Sequence, residues 1–178
     1  MNKSVVRLAR VHFGLAAAYA VFILASDAWN LVARQLTSER WLMFGLLLVV
    51  TTVVWLLARG NTNNQNYYRC LAIALVLVDI ALATFAIYTE RGMSSRGVAL
   101  YAIPIVSSAV LLSRTAIFGA AALCTAAYVM AATRYFYVNF NEGYKIELYS
   151  TVALYSASFF VLAAILWIVV SARAPAKR

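Results

Sequence analysis

Long apolar stretches separated by short polar ones fill nearly all of the 178-residue chain. A stretch of about 20 apolar residues can cross the roughly 30 Å hydrocarbon core of a bilayer as an α-helix. The pattern predicts about six such helices, with approximate limits at residues 12–33, 41–58, 68–88, 98–113, 115–133 and 148–171. We therefore expect one all-α integral membrane domain, a six-transmembrane-helix bundle in which only Ser113 and Arg114 separate the fourth and fifth spans.

The composition supports this class. Hydrophobic residues make up 65% of the chain and charged residues 12%, whereas soluble domains contain about 25% charged residues. The first apolar stretch is longer than the apolar region of a signal peptide and lacks a small-residue cleavage site. We therefore expect this stretch to be retained as a membrane span.

The distribution of charge predicts an orientation. The net charge of +9 is spread over chain ends and short loops, so nucleic acid is not an expected partner. With a cytoplasmic N-terminus, nine basic residues lie inside, while six lie outside together with all four glutamates. An excess of Lys and Arg in short cytoplasmic loops is typical of membrane proteins. The sequence thus predicts both termini cytoplasmic and a multi-pass protein of a bacterial inner membrane, with the lipid bilayer as its surroundings.

Asp79 is the unusual residue of the third span. It lies about 11 residues, or roughly 16 Å, from the start of that span, close to the bilayer midplane. A carboxylate at this depth costs at least a few kcal/mol, so it faces the bundle interior and either pairs or takes up a proton. Thr84 and Tyr88 can extend a polar track from it toward the outside. The alternative is structural: Asp79 hydrogen-bonds Ser107 or Ser108 and fixes the packing of the next helix.

Two further features of the sequence are a polar pair at the outer end of the first span and a proline in the fourth span. Asp27 and Asn30 lie about one turn apart near the outer end of the first span. Pro104 lacks a backbone N–H, so it is expected to kink the fourth helix. A kinked helix beside a buried acid can form a small pocket, or the kink can be a bend and nothing more.

The residues required by most membrane enzymes are absent from the sequence. A single histidine, His12, cannot supply a paired-histidine metal or haem site, and we expect its ring to be solvated at the membrane edge. The sequence contains no nucleophile elbow and no phosphate-binding loop. Cys70 and Cys124 are isolated and are expected to act as small apolar packing residues. We therefore predict no enzymatic activity, no catalytic residues and no metal.

The fifth span has a face of small side chains. Ala116, Ala120 and Cys124 recur at four-residue spacing. Small side chains allow helices to approach closely. This face is expected to pack against another helix, either within the bundle or in a dimer.

A wider set of residues connects this region with a known family: Asp79, Thr84, Tyr88, the loop residues Gly92, Ser94 and Ser95, Tyr101, Pro104, Ser113, Arg114 and Tyr128. Over this stretch the chain resembles the six-helix membrane input domain of bacterial sensor histidine kinases, including the quinone-sensing kind. The resemblance implies that the outer ends of the third and fourth helices, with their loop, form the sensing region. It leaves quinone as the one cofactor to consider. The kinase part does not follow in this sequence, so we expect either the membrane part of a longer protein or a stand-alone relative.

Together these features predict a non-catalytic sensory or regulatory membrane module. An apolar ligand, or a change in the state of the membrane, would alter helix packing around the sensing candidates, which are Asp79, Thr84, Tyr88, Tyr101, Pro104, Asp27 and Asn30. The signal would pass through the sixth helix to a kinase, another membrane partner subunit or a second copy in a homodimer. Two alternatives remain open: a small transporter or channel subunit that uses Asp79, and a structural partner subunit of a membrane complex.

Overall fold

The structure is a computed structural model that describes residues 2–29, 34–60, 62, 64–90, 92, 95–139 and 145–173. All regular secondary structure in these residues is helical. The helices are α1 (Asn2–Ala28), α2 (Arg34–Arg59), α3 (Gln65–Glu90), α4 (Ala102–Ser107), α5 (Arg114–Asn139) and α6 (Lys145–Arg173). The predicted all-α membrane fold is confirmed, because five of these helices are long and apolar enough to cross a membrane.

The helix at the position of the fourth predicted span differs from the others. It consists of a 3₁₀ helix at Arg96–Tyr101, the short α4, and a second 3₁₀ helix at Ser108–Leu111. We call this composite apolar segment, Arg96–Leu111, the broken helix. Pro104 lies in the first turn of α4, where a missing N–H is tolerated. The backbone changes from 3₁₀ to α geometry before the proline, at Ala102, and back to 3₁₀ geometry after it, at Ser108.

Local contacts define both ends of the broken helix. The Ser95 hydroxyl caps its start by accepting a hydrogen bond of 2.9 Å from the backbone N–H of Gly97, the usual role of serine at this position. Its end is marked by Leu112, which has a φ of 50° and a ψ of 33°. This left-handed conformation is uncommon for a residue other than glycine, and α5 begins two residues later, at Arg114.

The chain divides into two compact units, Met1–Val78 and Asp79–Arg178, with the boundary inside α3. In the first unit, α1 packs on α2. The buried positions of α1 are Val5, Ala9, His12, Ala16, Ile23 and Ser26, and most recur three, four or seven residues apart, as expected for one face of a helix. The α2–α3 connection in this unit is held by Tyr68, whose hydroxyl donates to the carbonyl of Gly60 at 2.6 Å.

The position of His12 corrects one expectation. Its side chain is only 1% exposed, so the prediction of a solvated ring is wrong. The Nδ1 atom lies 2.9 Å from the carbonyl oxygen of Leu8. Because His12 shares the spacing of the buried apolar positions of α1, it faces the interior with them, and the helix supplies a carbonyl for its ring.

In the second unit, α5 packs against α6 and the broken helix. Its buried residues are Ile117, Ala120, Ala121, Cys124, Tyr128, Ala131, Ala132 and Phe136. Ala120 and Cys124 of the predicted small-residue face are therefore covered within the chain, by packing of the kind predicted for the bundle.

Two glycines, one in the loop before the broken helix and one in its first turn, lie at close approaches to neighbouring side chains. Gly92 has a φ of 60°, which glycine adopts at no steric cost, and an added Cβ there would collide with the ring of Tyr135. At Gly97, an added Cβ would lie 2.8 Å from the Cβ of Ala86 in α3. The first turn of the broken helix is thus packed tightly against α3.

Candidate functional site

Asp79 is buried in the middle of α3, with its side chain 2% exposed. The Ser107 hydroxyl donates a hydrogen bond of 3.4 Å to its Oδ2 atom. This is the contact that the structural alternative predicts, and its length places it among the weaker hydrogen bonds. The acid therefore connects α3 to the last residue of α4.

A second polar contact joins the same two segments about one and a half turns further along α3. The hydroxyl oxygens of Thr84 and Tyr101 lie 2.9 Å apart. The Thr84 hydroxyl already donates its single hydrogen to the carbonyl of Ile80 at 2.6 Å. The Tyr101 hydroxyl is therefore the donor to Thr84, because a threonine hydroxyl has one hydrogen and two lone pairs.

The Tyr101 ring belongs to an aromatic cluster, which we define as Tyr101, Tyr128, Tyr155 and Phe159. Tyr101 is fully buried, and its ring centroid lies 5.4 Å from Phe159 on α6 and 6.1 Å from Tyr128 on α5. Tyr128 in turn lies 5.7 Å from Tyr155, nearly edge to face. Such ring pairs contribute about 0.5–1.5 kcal/mol beyond burial, so the cluster fastens the broken helix to α5 and α6.

The backbone of Tyr101 also has an unusual neighbour. In a 3₁₀ arrangement its carbonyl would accept from the nitrogen three residues later, which belongs to Pro104 and carries no hydrogen. The Cys124 thiol lies 3.9 Å from this carbonyl oxygen and donates to it. Cys124 is buried, as a packing residue would be, and it also supplies a weak donor beside the proline.

The aromatic cluster also forms part of a groove between the broken helix and α6. The groove has a volume of about 310 Å³ and is open along one side. Arg96, Ala99 and Ala102 line it on the broken helix, and Tyr155, Ser158, Phe159 and Leu162 line it on α6. Its volume is at the lower end of the range of about 300–1,000 Å³ for small-molecule sites. The lining is mainly apolar, with one cationic side chain.

The family model of the PilS-like transmembrane domain matches residues 3–176. The chain belongs to the PilS-like transmembrane domain family. No curated protein and no solved structure matches it. Because PilS is a sensor histidine kinase, the match supports the architecture of a six-helix membrane sensor domain in a multi-pass membrane protein.

Within this PilS-like domain, the predicted site residues separate into two groups. Asp79, Thr84, Tyr101 and Pro104 come together where α3 meets the broken helix. Tyr88 lies further along α3 with its side chain 43% exposed.

The other predicted residues lie away from this centre. The Tyr88 ring is 5.8 Å from the Arg134 guanidinium, which places it in a cation–π contact at the end of the helices. Asp27 is exposed near the end of α1, and Asn30 lies outside the described residues.

Two members of the aromatic cluster, Tyr155 and Phe159, are not among the residues predicted from the sequence. They lie four residues apart and therefore on the same face of α6. That spacing was available in the sequence, but exposed aromatic residues at a membrane edge show the same pattern. Their role becomes evident only from their contacts with Tyr101 and Tyr128.

Proposed function

We propose that this PilS-like domain is a non-catalytic sensory module whose sensing element is the broken helix. The observation that carries the proposal is the family match over residues 3–176. The structure adds a candidate moving part, because the broken helix is short, changes backbone geometry twice, and is hydrogen-bonded to α3 through Ser107 and Tyr101. A ligand or a change in membrane state would act by favouring a second packing of this segment.

In the proposed mechanism, displacement of the broken helix breaks the hydrogen bond between Thr84 and Tyr101. The Tyr101 ring then moves against Phe159, with which it is in contact at 5.4 Å. Phe159 belongs to α6, which continues without interruption to Arg173, about 14 residues or roughly 21 Å further along. A ligand drives this change only if it binds the two packings with different affinity.

The proposal includes an orientation and a location. With both termini in the cytoplasm, α6 ends at the inner face of a bacterial inner membrane, and the loop before the broken helix lies outside. The end of α6 is then placed to act on a kinase or another partner on the cytoplasmic side. The excess of basic residues on the predicted inner side supports this orientation.

A nitroxide label on α6 tests the sensory function. Ile168 is 65% exposed near the end of α6, so Ile168→Cys can be labelled in a Cys70→Ala background, while the buried Cys124 stays unreactive. In vesicles of different acyl-chain length, or with added ubiquinone, we expect the label's spectrum to change in the wild-type background. Tyr101→Phe should alter that response. An unchanged spectrum in every vesicle would contradict the proposal.

The transport alternative is supported by one observation, the buried carboxyl of Asp79 in the middle of a membrane helix. It predicts proton or cation flux into proteoliposomes that disappears in Asp79→Asn. Flux of this kind, together with an α6 label that does not respond, would favour transport over sensing. No flux together with a responding label would favour the sensory function.

A further inference from the structure

The groove between the broken helix and α6 has a regular floor that follows from its backbone geometry. In a 3₁₀ helix, side chains three residues apart lie directly above one another. Arg96, Ala99 and Ala102 have this spacing along the 3₁₀ turn and the start of α4, and all three line the groove. One charged side chain is therefore followed, along a single line, by two methyl groups that leave space above them.

The opposite wall has a matching length. Tyr155, Ser158 and Leu162 lie three and four residues apart on α6, and therefore on one face of the helix. They extend over about 10 Å, and the three positions on the broken helix extend over a similar distance, about 12 Å. Each length is somewhat less than the roughly 15 Å depth of one leaflet's hydrocarbon.

The charged group lies at one end of the groove. Arg96 is exposed and occupies the first position of the broken helix. The Ser158 hydroxyl donates to the carbonyl of Leu154 at 2.9 Å, so its hydrogen is already used. A ligand that fits this arrangement has an anionic group for Arg96 and an apolar chain for the remainder.

We propose that this groove binds an anionic phospholipid of the bilayer, with its phosphate at Arg96 and one acyl chain along Ala99, Ala102 and Leu162. An anionic lipid head group near a membrane-edge Arg gains about 1 kcal/mol, which is about fivefold in affinity. The bound chain lies beside Phe159 of the aromatic cluster, so lipid occupancy and the position of Tyr101 are coupled. The site gives the proposed sensory function a ligand class. Lipid binding itself can be measured without assuming that function, whereas an effect of the bound lipid on signalling rests on it.

Native mass spectrometry of the full chain in lipid-free detergent tests the site. Phosphatidylglycerol and phosphatidylcholine with identical acyl chains are added separately. We expect one phosphatidylglycerol to be retained per chain, with about fivefold higher affinity than phosphatidylcholine. Arg96→Gln should abolish this preference, and Arg96→Lys should keep it. The matched control is Arg134→Gln, which removes an exposed charge outside the groove and should leave the preference unchanged.

A second pair of variants tests the apolar part. Ala99→Phe fills the groove while keeping Arg96, and should lower retention of both lipids. Ala122→Phe adds the same bulk at an exposed position of α5 and should not. Equal retention of the two lipids by the wild type, or an unchanged preference in Arg96→Gln, would overturn the proposal. Displacement of the lipid by equimolar oleate would also overturn it, by assigning the groove to free fatty acids.

The binding and signalling experiments fail independently. If the α6 label responds to membrane state while no lipid preference is found, the lipid site is wrong and the sensory function stands. If the preference is found and the label never responds, the site is structural and the sensory function is wrong.

Discussion

Gly97→Ala is the sharpest test of how the broken helix is held against α3. The added Cβ would lie 2.8 Å from the Cβ of Ala86 and 3.0 Å from the Oγ of Ser95. Carbon atoms in contact are about 3.5–4.0 Å apart, so the two segments must separate by close to 1 Å. Overpacking of this kind costs about 1–3 kcal/mol, and the lower chain entropy of alanine in the unfolded state returns about 0.5 kcal/mol. We expect a net loss of about 0.5–2.5 kcal/mol.

The assay is reversible unfolding in mixed micelles with increasing sodium dodecyl sulfate, followed by circular dichroism. Gly119→Ala is the matched control, because nothing lies within 4 Å of a Cβ added at that helical glycine. It should raise stability by about 0.5–1 kcal/mol. Ala86→Gly should cost less in the Gly97→Ala background than in the wild type, since it relieves the collision. A Gly97→Ala variant that unfolds at the same or higher detergent fraction than the wild type would refute the close approach.

Substitutions at four further residues test the polar and aromatic contacts by the same unfolding assay. Tyr101→Phe and Thr84→Val should each lower the stability by about 0.6 kcal/mol, the mean for interhelical hydrogen bonds in membranes. The double variant should lose little more than either single variant, because both remove the same bond. Fully additive losses would argue against the bond. Asp79→Asn keeps an acceptor for the Ser107 hydroxyl, so its stability should stay within about 1 kcal/mol of the wild type. Asp79→Leu removes the acceptor and should lower the stability by more than this. Equal stability of the two variants would count against the contact. Tyr128→Phe should be neutral or stabilising by about 1 kcal/mol, because no described residue bonds its buried hydroxyl; a clear loss would show that the hydroxyl has a partner.

The long helices were accessible from the sequence because their apolar content exceeds what any soluble helix needs. Length and apolar content together indicate all five long helices, α1, α2, α3, α5 and α6. The actual helices extend beyond the apolar stretches, as α1 does by starting at Asn2, since a helix continues into polar surroundings without an apolar signature. The broken helix could not be predicted, because 3₁₀ and α backbones bury the same kinds of residue over such short distances.

The site was accessible only in part. A buried acid demands a partner, and the structural alternative for Asp79 predicts a hydroxyl on the next helix, which Ser107 supplies. The sequence spacing predicts that Thr84 extends a polar track toward Tyr88, four residues further along the same helix. It instead meets Tyr101 across the helix interface. Sequence spacing describes neighbours within a helix, whereas partners on different helices depend on how deeply each helix lies against the next.

The backbone geometry of the broken helix determines how far it reaches. Ten of its sixteen residues are in 3₁₀ turns and six are in α4. With rises of about 2.0 Å and 1.5 Å per residue, the segment extends about 29 Å, whereas sixteen α-helical residues extend about 24 Å. The 3₁₀ turns therefore allow a short segment to match a hydrocarbon core of roughly 30 Å. Conversion to a regular α-helix would shorten it by about 5 Å, so we expect its preferred conformation to respond to the thickness of the surrounding bilayer.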